Sequence, residues 1–170
     1  MNRLKRFPHF RQNNVSDCGP TCLRMIARYY GVDYTAEMLR RHCHVSRRGV
    51  NMLGISEGAE HIGLDTVGMK MTFSQLAEEG VFPCILYWNQ SHFVVCYGIE
   101  RDKAGSYKIH ISDPASQRLT YTQEEFERCW IGRRAEDKGC GVVLMLEPGD
   151  NWGKVEDCLL YTSDAADDKA

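Results

Sequence analysis

Hydrophobic periodicity in this chain changes about a third of the way along, and that change constrains the fold more than any other feature. Leu23, Ile26, Ala27 and Tyr30 recur at i, i+3, i+4 and i+7, which is one buried stripe of a helix. Pro20 suits the first turn of that helix, Asp17 is placed to cap it and Gly31 to end it. Thr35 to about His44 reads as a second helix, capped by Thr35, with Met38 and Leu39 inward. Asn51 to Ile62 reads as a third, with Leu53, Ile55 and Ala59 inward and Gly63 as its stop. Beyond Gly63 the pattern becomes β-rich. Leu64–Met69 is a short strand, and a short helix runs from Thr72 or Ser74 through Glu78 to Gly80. Phe82–Trp88, Ser91–Ile99 and Tyr107–Ser112 then follow as closely spaced strands, with Asp102-Lys103-Ala104-Gly105 as a connecting turn. Thr122 and Glu125 form a capping box opening a helix to Cys129, and Gly141–Glu147 is a last strand. Helices first and strands second define an α+β domain, its N-terminal helices packed on an antiparallel sheet.

The 170 residues suit one domain, and 43% of them are hydrophobic, enough for a real core. Residues 1–148 form that domain. Residues 149–170 are polar and acidic, with Leu159-Leu160-Tyr161 the only core-like group, and are expected to be a disordered or non-native tail. A net charge of −2 with acids and bases mixed argues against nucleic acid as a partner. The longest apolar runs, Val81–Trp88 and Phe93–Ile99, have strand length, short of the roughly 18–20 residues a membrane span needs. Met1–Arg6 is basic but leads into Phe7-Pro8-His9, unlike a secretory signal, so the expected place is the cytosol.

Eight cysteines are present: Cys18, Cys22, Cys43, Cys84, Cys96, Cys129, Cys140 and Cys158. A disulfide framework suits a small secreted chain, so buried free thiols are the default here. His42-Cys43-His44 suggests a metal, but adjacent side chains point apart and no second pair completes a zinc site; no cofactor is expected.

A cysteine nucleophile needs a stabilised thiolate, a base and donors for an oxyanion. Cys18 sits where the first helix begins, at partial positive charge and free N–H groups, and Gly19 beside it would let backbone approach a substrate carbonyl. On context alone it is as well explained by a buried structural thiol. His92 opens an apolar strand, which would expose its ring at the sheet's edge; His9, His42, His44, His61 and His110 have less distinctive settings. Asp113 ends the next strand, within reach of His92 if the two strands pair, although Asp-Pro is also an ordinary turn start. Gln12, six residues before Cys18, could donate to an oxyanion and alone says nothing.

In order, Gln12, Asp17-Cys18-Gly19-Pro20-Thr21-Cys22-Leu23, Gly54-Ile55-Ser56 with Ala59 and Gly63, His92-Phe93-Val94-Val95 and Asp113-Pro114-Ala115 make a pattern. From Leu4 to Pro148 the chain resembles the bacteriocin-processing endopeptidase domain of peptidase-containing ABC transporters, which has a papain-like fold. The resemblance implies a cysteine peptidase that removes the leader of a ribosomal peptide precursor after a double-glycine motif. It casts Cys18 as nucleophile, His92 as base and acid, Asp113 as orienter and Gln12 as oxyanion donor. Its partners would be that precursor and the membrane and ATP-binding domains of a transporter, at the cytosolic face of the bacterial inner membrane. The leader would lie as an amphipathic helix in an apolar groove, for which Met52, Leu53, Met69, Met71 and Tyr97 are candidates, each equally at home in a core. Some relatives lack the cysteine and only dock substrate, so a non-catalytic leader-docking module is the alternative.

Overall fold

The computed structural model describes residues 3–155. Three helices come first: α1 (Cys18–Tyr29), α2 (Ala36–His42) and α3 (Met52–His61). They are followed by β1 (Leu64–Met71), α4 (Phe73–Glu79), β2 (Cys84–Trp88), β3 (His92–Arg101), β4 (Tyr107–Ser112), β5 (Arg118–Thr122), α5 (Gln123–Trp130) and β6 (Gly141–Pro148). The strands form one antiparallel sheet in the order β1-β6-β2-β3-β4-β5. The α+β expectation holds, helices before strands.

Local chemistry sets the helix ends. Thr35 accepts from the Met38 N–H and Asn51 from that of Gly54, each satisfying a first-turn donor. Thr72 with Gln75 and Thr122 with Glu125 make full capping boxes. Gly31 and Gly63 follow α1 and α3 at φ +98° and +95°, a backbone that side chains with a β-carbon rarely adopt.

The sheet separates two cores. On one face α1–α3 bury Leu23, Ile26, Met38, Leu39 and Ile55 against Ile85, Phe93, Val95 and Leu144. On the other, α4 and α5 bury Phe73, Leu76, Phe126 and Trp130 against Leu86, Trp88, Val94 and Val143. Alternation along β2, β3 and β6 feeds both faces, so these central strands read as unbroken apolar runs.

Three expectations need correction. Leu53 was placed inward, but it is 66% exposed. The inward face of α3 is instead Gly54, Ile55, Gly58 and Ala59. A β-carbon on Gly58 would sit 2.6 Å from the Cys43 sulfur, so the approach to the end of α2 requires small residues. Strand β5 was missed because it is a half-covered edge strand, its polar residues exposed and only Leu119 and Tyr121 partly covered. Packing also continues past Pro148. Trp152 meets Tyr30 and Tyr34 edge-on and donates to the Tyr30 carbonyl at 3.3 Å, and Val155 rests on the same core. Leu159, Leu160, Tyr161 and Cys158 lie outside the described residues. Among the described residues, no helix is long and apolar enough to cross a membrane.

Candidate active site

Cys18 is the first residue of α1, as its sequence context suggests. Its side chain is 6% exposed and opens onto a cleft of about 370 Å³. The cleft is lined by Asn14, Val15 and Ser16, residues 47–50 of the α2–α3 connection, and Ser91. Two details differ from the sequence reading. Asp17 occupies the cap position of α1 but makes no capping hydrogen bond; it is buried and accepts from Arg40 Nε of α2 at 2.5 Å. Gly19 is buried beneath the cleft, where a β-carbon would run into Val50 and Ile55, so packing of α3 rather than access of substrate requires a glycine there.

His92 is the first residue of β3, just after a tight turn in which Asn89 and Gln90 take φ +50° and +62°. Val95 of β3 pairs with Ser112 of β4, so Asp113, one residue beyond the end of β4, comes alongside His92. Asp113 Oδ1 lies 2.7 Å from His92 Nε2. The same oxygen accepts from the Ala115 N–H at 2.8 Å, and the Asp113 N–H donates to the Gln117 carbonyl at 3.0 Å, fixing the carboxylate in its turn. With Nε2 held by Asp113, Nδ1 is the nitrogen left to face Cys18, which lies close enough to raise the ring's pKa. Cys18, His92 and Asp113 therefore meet, in that order.

The electrostatics follow from this geometry. Burial disfavours a charged imidazole, but the hydrogen bonds to Asp113 and Cys18 outweigh it, and the His92 pKa rises to about 9. Burial pushes the Asp113 carboxyl up, yet its hydrogen bonds from His92 and Ala115 win and hold it below its usual value. A proton shared between His92 and Asp113 thus rests on the ring.

Cys22 lies one turn along α1 and behaves differently. It is fully buried, which pushes its thiol far up, and it donates to the Phe93 carbonyl at 3.4 Å. It pins α1 to the strand that starts with His92. Its spacing to Cys18 marks it as a residue of the same helix face, but nothing local in the sequence reveals Phe93 as its acceptor.

Gln12 is tied to the same corner. Its backbone N–H donates to the Pro114 carbonyl at 2.8 Å, next to Asp113. Its side-chain amide donates to the carbonyls of Asn14 at 2.9 Å and Val15 at 3.4 Å, and Oε1 is buried without a partner. The five apolar candidates do not assemble. Met71 is 3% exposed in the α4–α5 core, and Tyr97 stacks on Phe7 at 4.7 Å. Met52 is half-buried against the α1–α3 core. Leu53 and Met69 are exposed, but on opposite sides of the sheet, because Thr66 of β1 meets Ser56 of α3 and Met69 lies an odd number of residues further on.

Comparison with known proteins identifies the family of the chain. The chain is 34% identical over 148 residues to the colicin V secretion/processing ATP-binding protein of Escherichia coli. It is 35% identical over 152 residues to a probable microcin secretion/processing ATP-binding protein of the same organism. These matches take in 87% and 89% of this chain but only 19% and 20% of the relatives, so it spans about a fifth of their length. Among solved structures it resembles a double glycine motif protease from a transporter, in complex with the leader peptide. That likeness has a TM-score of 0.72 and 33% identity, and it covers 83% of this chain and 91% of the other. The peptidase domain of the Streptococcus ComA transporter, at 24% identity and a TM-score of 0.68, shares the fold. The Peptidase C39 family model matches residues 6–135, and the chain belongs to that family of cysteine peptidases.

Proposed function

We propose that this domain cleaves the leader from a ribosomally made peptide precursor directly after a double-glycine motif. The single observation behind this reading is the 2.7 Å hydrogen bond between His92 and Asp113, with Cys18 beside them at the start of α1. The likeness to a protease of that specificity supplies the substrate class.

The steps follow from the residues. Cys18 sulfur attacks the carbonyl carbon of the second glycine, and the carbonyl electrons move onto oxygen. Gln12 and backbone N–H groups at the start of α1 stabilise that oxyanion; the 3.4 Å bond from Gln12 to Val15 is the weaker of its two and the one to exchange for it. The oxyanion collapses, the C–N bond breaks and His92 gives its proton to the leaving amine. His92 then takes a proton from water, which attacks the thioester and releases the leader. Asp113 keeps the ring oriented and its charge balanced throughout.

The relatives are secretion/processing ATP-binding proteins, which supports transporter membrane and ATP-binding domains as partners here; on this reading cleavage falls at the cytosolic face. Exposed apolar residues available to a helical leader are Leu53 on α3 and, on the other side of the sheet, Val67 and Met69 of β1. Incubation with a precursor bearing a double-glycine leader, followed by mass analysis, tests the proposal. Two fragments divided after the second glycine are expected; an intact precursor, or cleavage elsewhere, contradicts it.

A further inference from the structure

Asp17 is in an unusual position for a carboxylate. It stands at the cap of α1, next to the residue proposed as nucleophile, with its side chain only 8% exposed. A carboxylate there ordinarily turns onto the free N–H groups of the first turn. That would set a fixed negative charge where a thiolate and an oxyanion must form, and it would occupy donors that both need. This carboxylate makes no such bond. Its Oδ1 instead takes Arg40 Nε of α2 at 2.5 Å. The same guanidinium reaches Ser16 Oγ at 3.4 Å, and Ser16 Oγ donates to Asn14 Oδ1 at 2.7 Å. The Asn14 carbonyl in turn holds the side-chain amide of Gln12 at 2.9 Å. One arginine on a separate helix thus braces the residue before Cys18 and the turn that carries Gln12.

We propose that Arg40 is a positioning residue for the cleavage reaction: by holding the Asp17 carboxylate, it keeps negative charge off the start of α1 and sets the backbone around Cys18 and Gln12. An arginine suits this task, since its planar fork engages two oxygens at once and stays charged at every working pH. The other charged or titratable groups facing Cys18 are His92 of β3, Cys22 of α1, and Arg47 and Arg48 across the cleft. The ion pair of Asp17 is with Arg40.

The inference rests on Cys18 being the nucleophile, and its test separates the two. The rate at which iodoacetamide alkylates Cys18 is measured against pH in the folded protein, with melting temperature recorded alongside. In Arg40→Met the freed carboxylate turns onto α1, so alkylation at neutral pH falls by about tenfold and its pH midpoint rises by about one unit. The kcat for a double-glycine precursor falls with it, while KM is kept. Arg40→Lys restores most of the rate, and Asp17→Asn/Arg40→Met, which leaves no charge behind, returns to within about twofold of the parent. Should Arg40→Met not fold, Arg40→Gln reads the same shift. A parent-like rate and midpoint in the Met or Gln variant, whatever its melting temperature, overturns the proposal; so does a double variant as slow as Arg40→Met. A parent protein whose Cys18 reacts no faster than Cys129 overturns instead the assignment of the nucleophile.

Discussion

The two faces of the sheet are built from similar materials and do different things. Behind it, α4 and α5 close over an aromatic cluster in which Phe126 lies 5.3–5.7 Å from Trp130, Trp88 and Phe73. The cross-strand Cys84 and Cys96 lie within that packing, and burial drives the Cys84 thiol far up. In front, α1 also packs apolar residues on the sheet, but its first turn stops at the level where β3 begins and β4 ends. There the layer is incomplete, and Cys18, His92 and Asp113 share the gap. The proposed chemistry thus belongs to one seam, where a helix start meets two strand ends, and the rest of the molecule keeps that seam aligned.

Substitutions can break this division. The largest effect is expected from Cys18→Ala, which should lower cleavage by about 10³-fold or more while the melting temperature stays close to the parent's. Comparable activity in that variant would remove the seam from the chemistry. Asp113→Asn should come next, with a loss of about 10²–10⁴-fold in kcat, since the ring loses the group that orients it and balances its charge. On the far face, Trp130→Ala should cost about 3–5 kcal/mol of stability by denaturant unfolding, yet leave Cys18 alkylation in the folded fraction unchanged. A matching drop in reactivity would show that the two faces are not separable.

A pH titration sharpens the same contrast. His92 rises from 6.5 to about 9, so its charged form is favoured in the fold. Its contribution to stability is therefore whole below pH 6.5 and lost as pH climbs through about 9, and activity should fall over that alkaline limb. In Asp113→Asn the limb should move to lower pH; a limb that stays in place would mean Asp113 does not hold the ring. The smallest effect is expected from Leu53→Ala, within about 0.5 kcal/mol of the parent's stability because the side chain is largely in water.

Much of this was legible in the sequence where the signal is local. Helix caps at Thr35 and Thr122, and one at Thr72 or Ser74, are read from one residue and its neighbours three along; the structure has Thr35, Thr122 and Thr72, and adds Asn51. The placing of Cys18 at a helix start and of His92 at a strand start is of the same kind. Asp17 misled because a capping residue and an ion-pair partner look identical until Arg40, on another helix, is in view. Leu53 misled because helical period ranks Leu above Gly for burial, whereas contact with Cys43 leaves room only for Gly54 and Gly58 on the inward side. Trp152 sits in a polar stretch, and only the fold reveals the pocket beside Tyr30 that receives it. The apolar groove candidates scattered because no periodicity tells which face of the sheet a strand residue joins.

The central claim is that Cys18 forms the covalent intermediate with the leader. A synthetic leader peptide ending in Gly-Gly and carrying a chloromethyl ketone in place of the scissile amide tests it most directly: sulfur displaces chloride to leave a stable thioether, and the labelled site is read by mass analysis of a digest. The account predicts a single adduct on the peptide containing Cys18, absent from Cys18→Ala and slowed in Asp113→Asn. Labelling of Cys22, Cys129 or Cys140 in place of Cys18, or cleavage of a natural precursor that survives complete modification of Cys18, would contradict it.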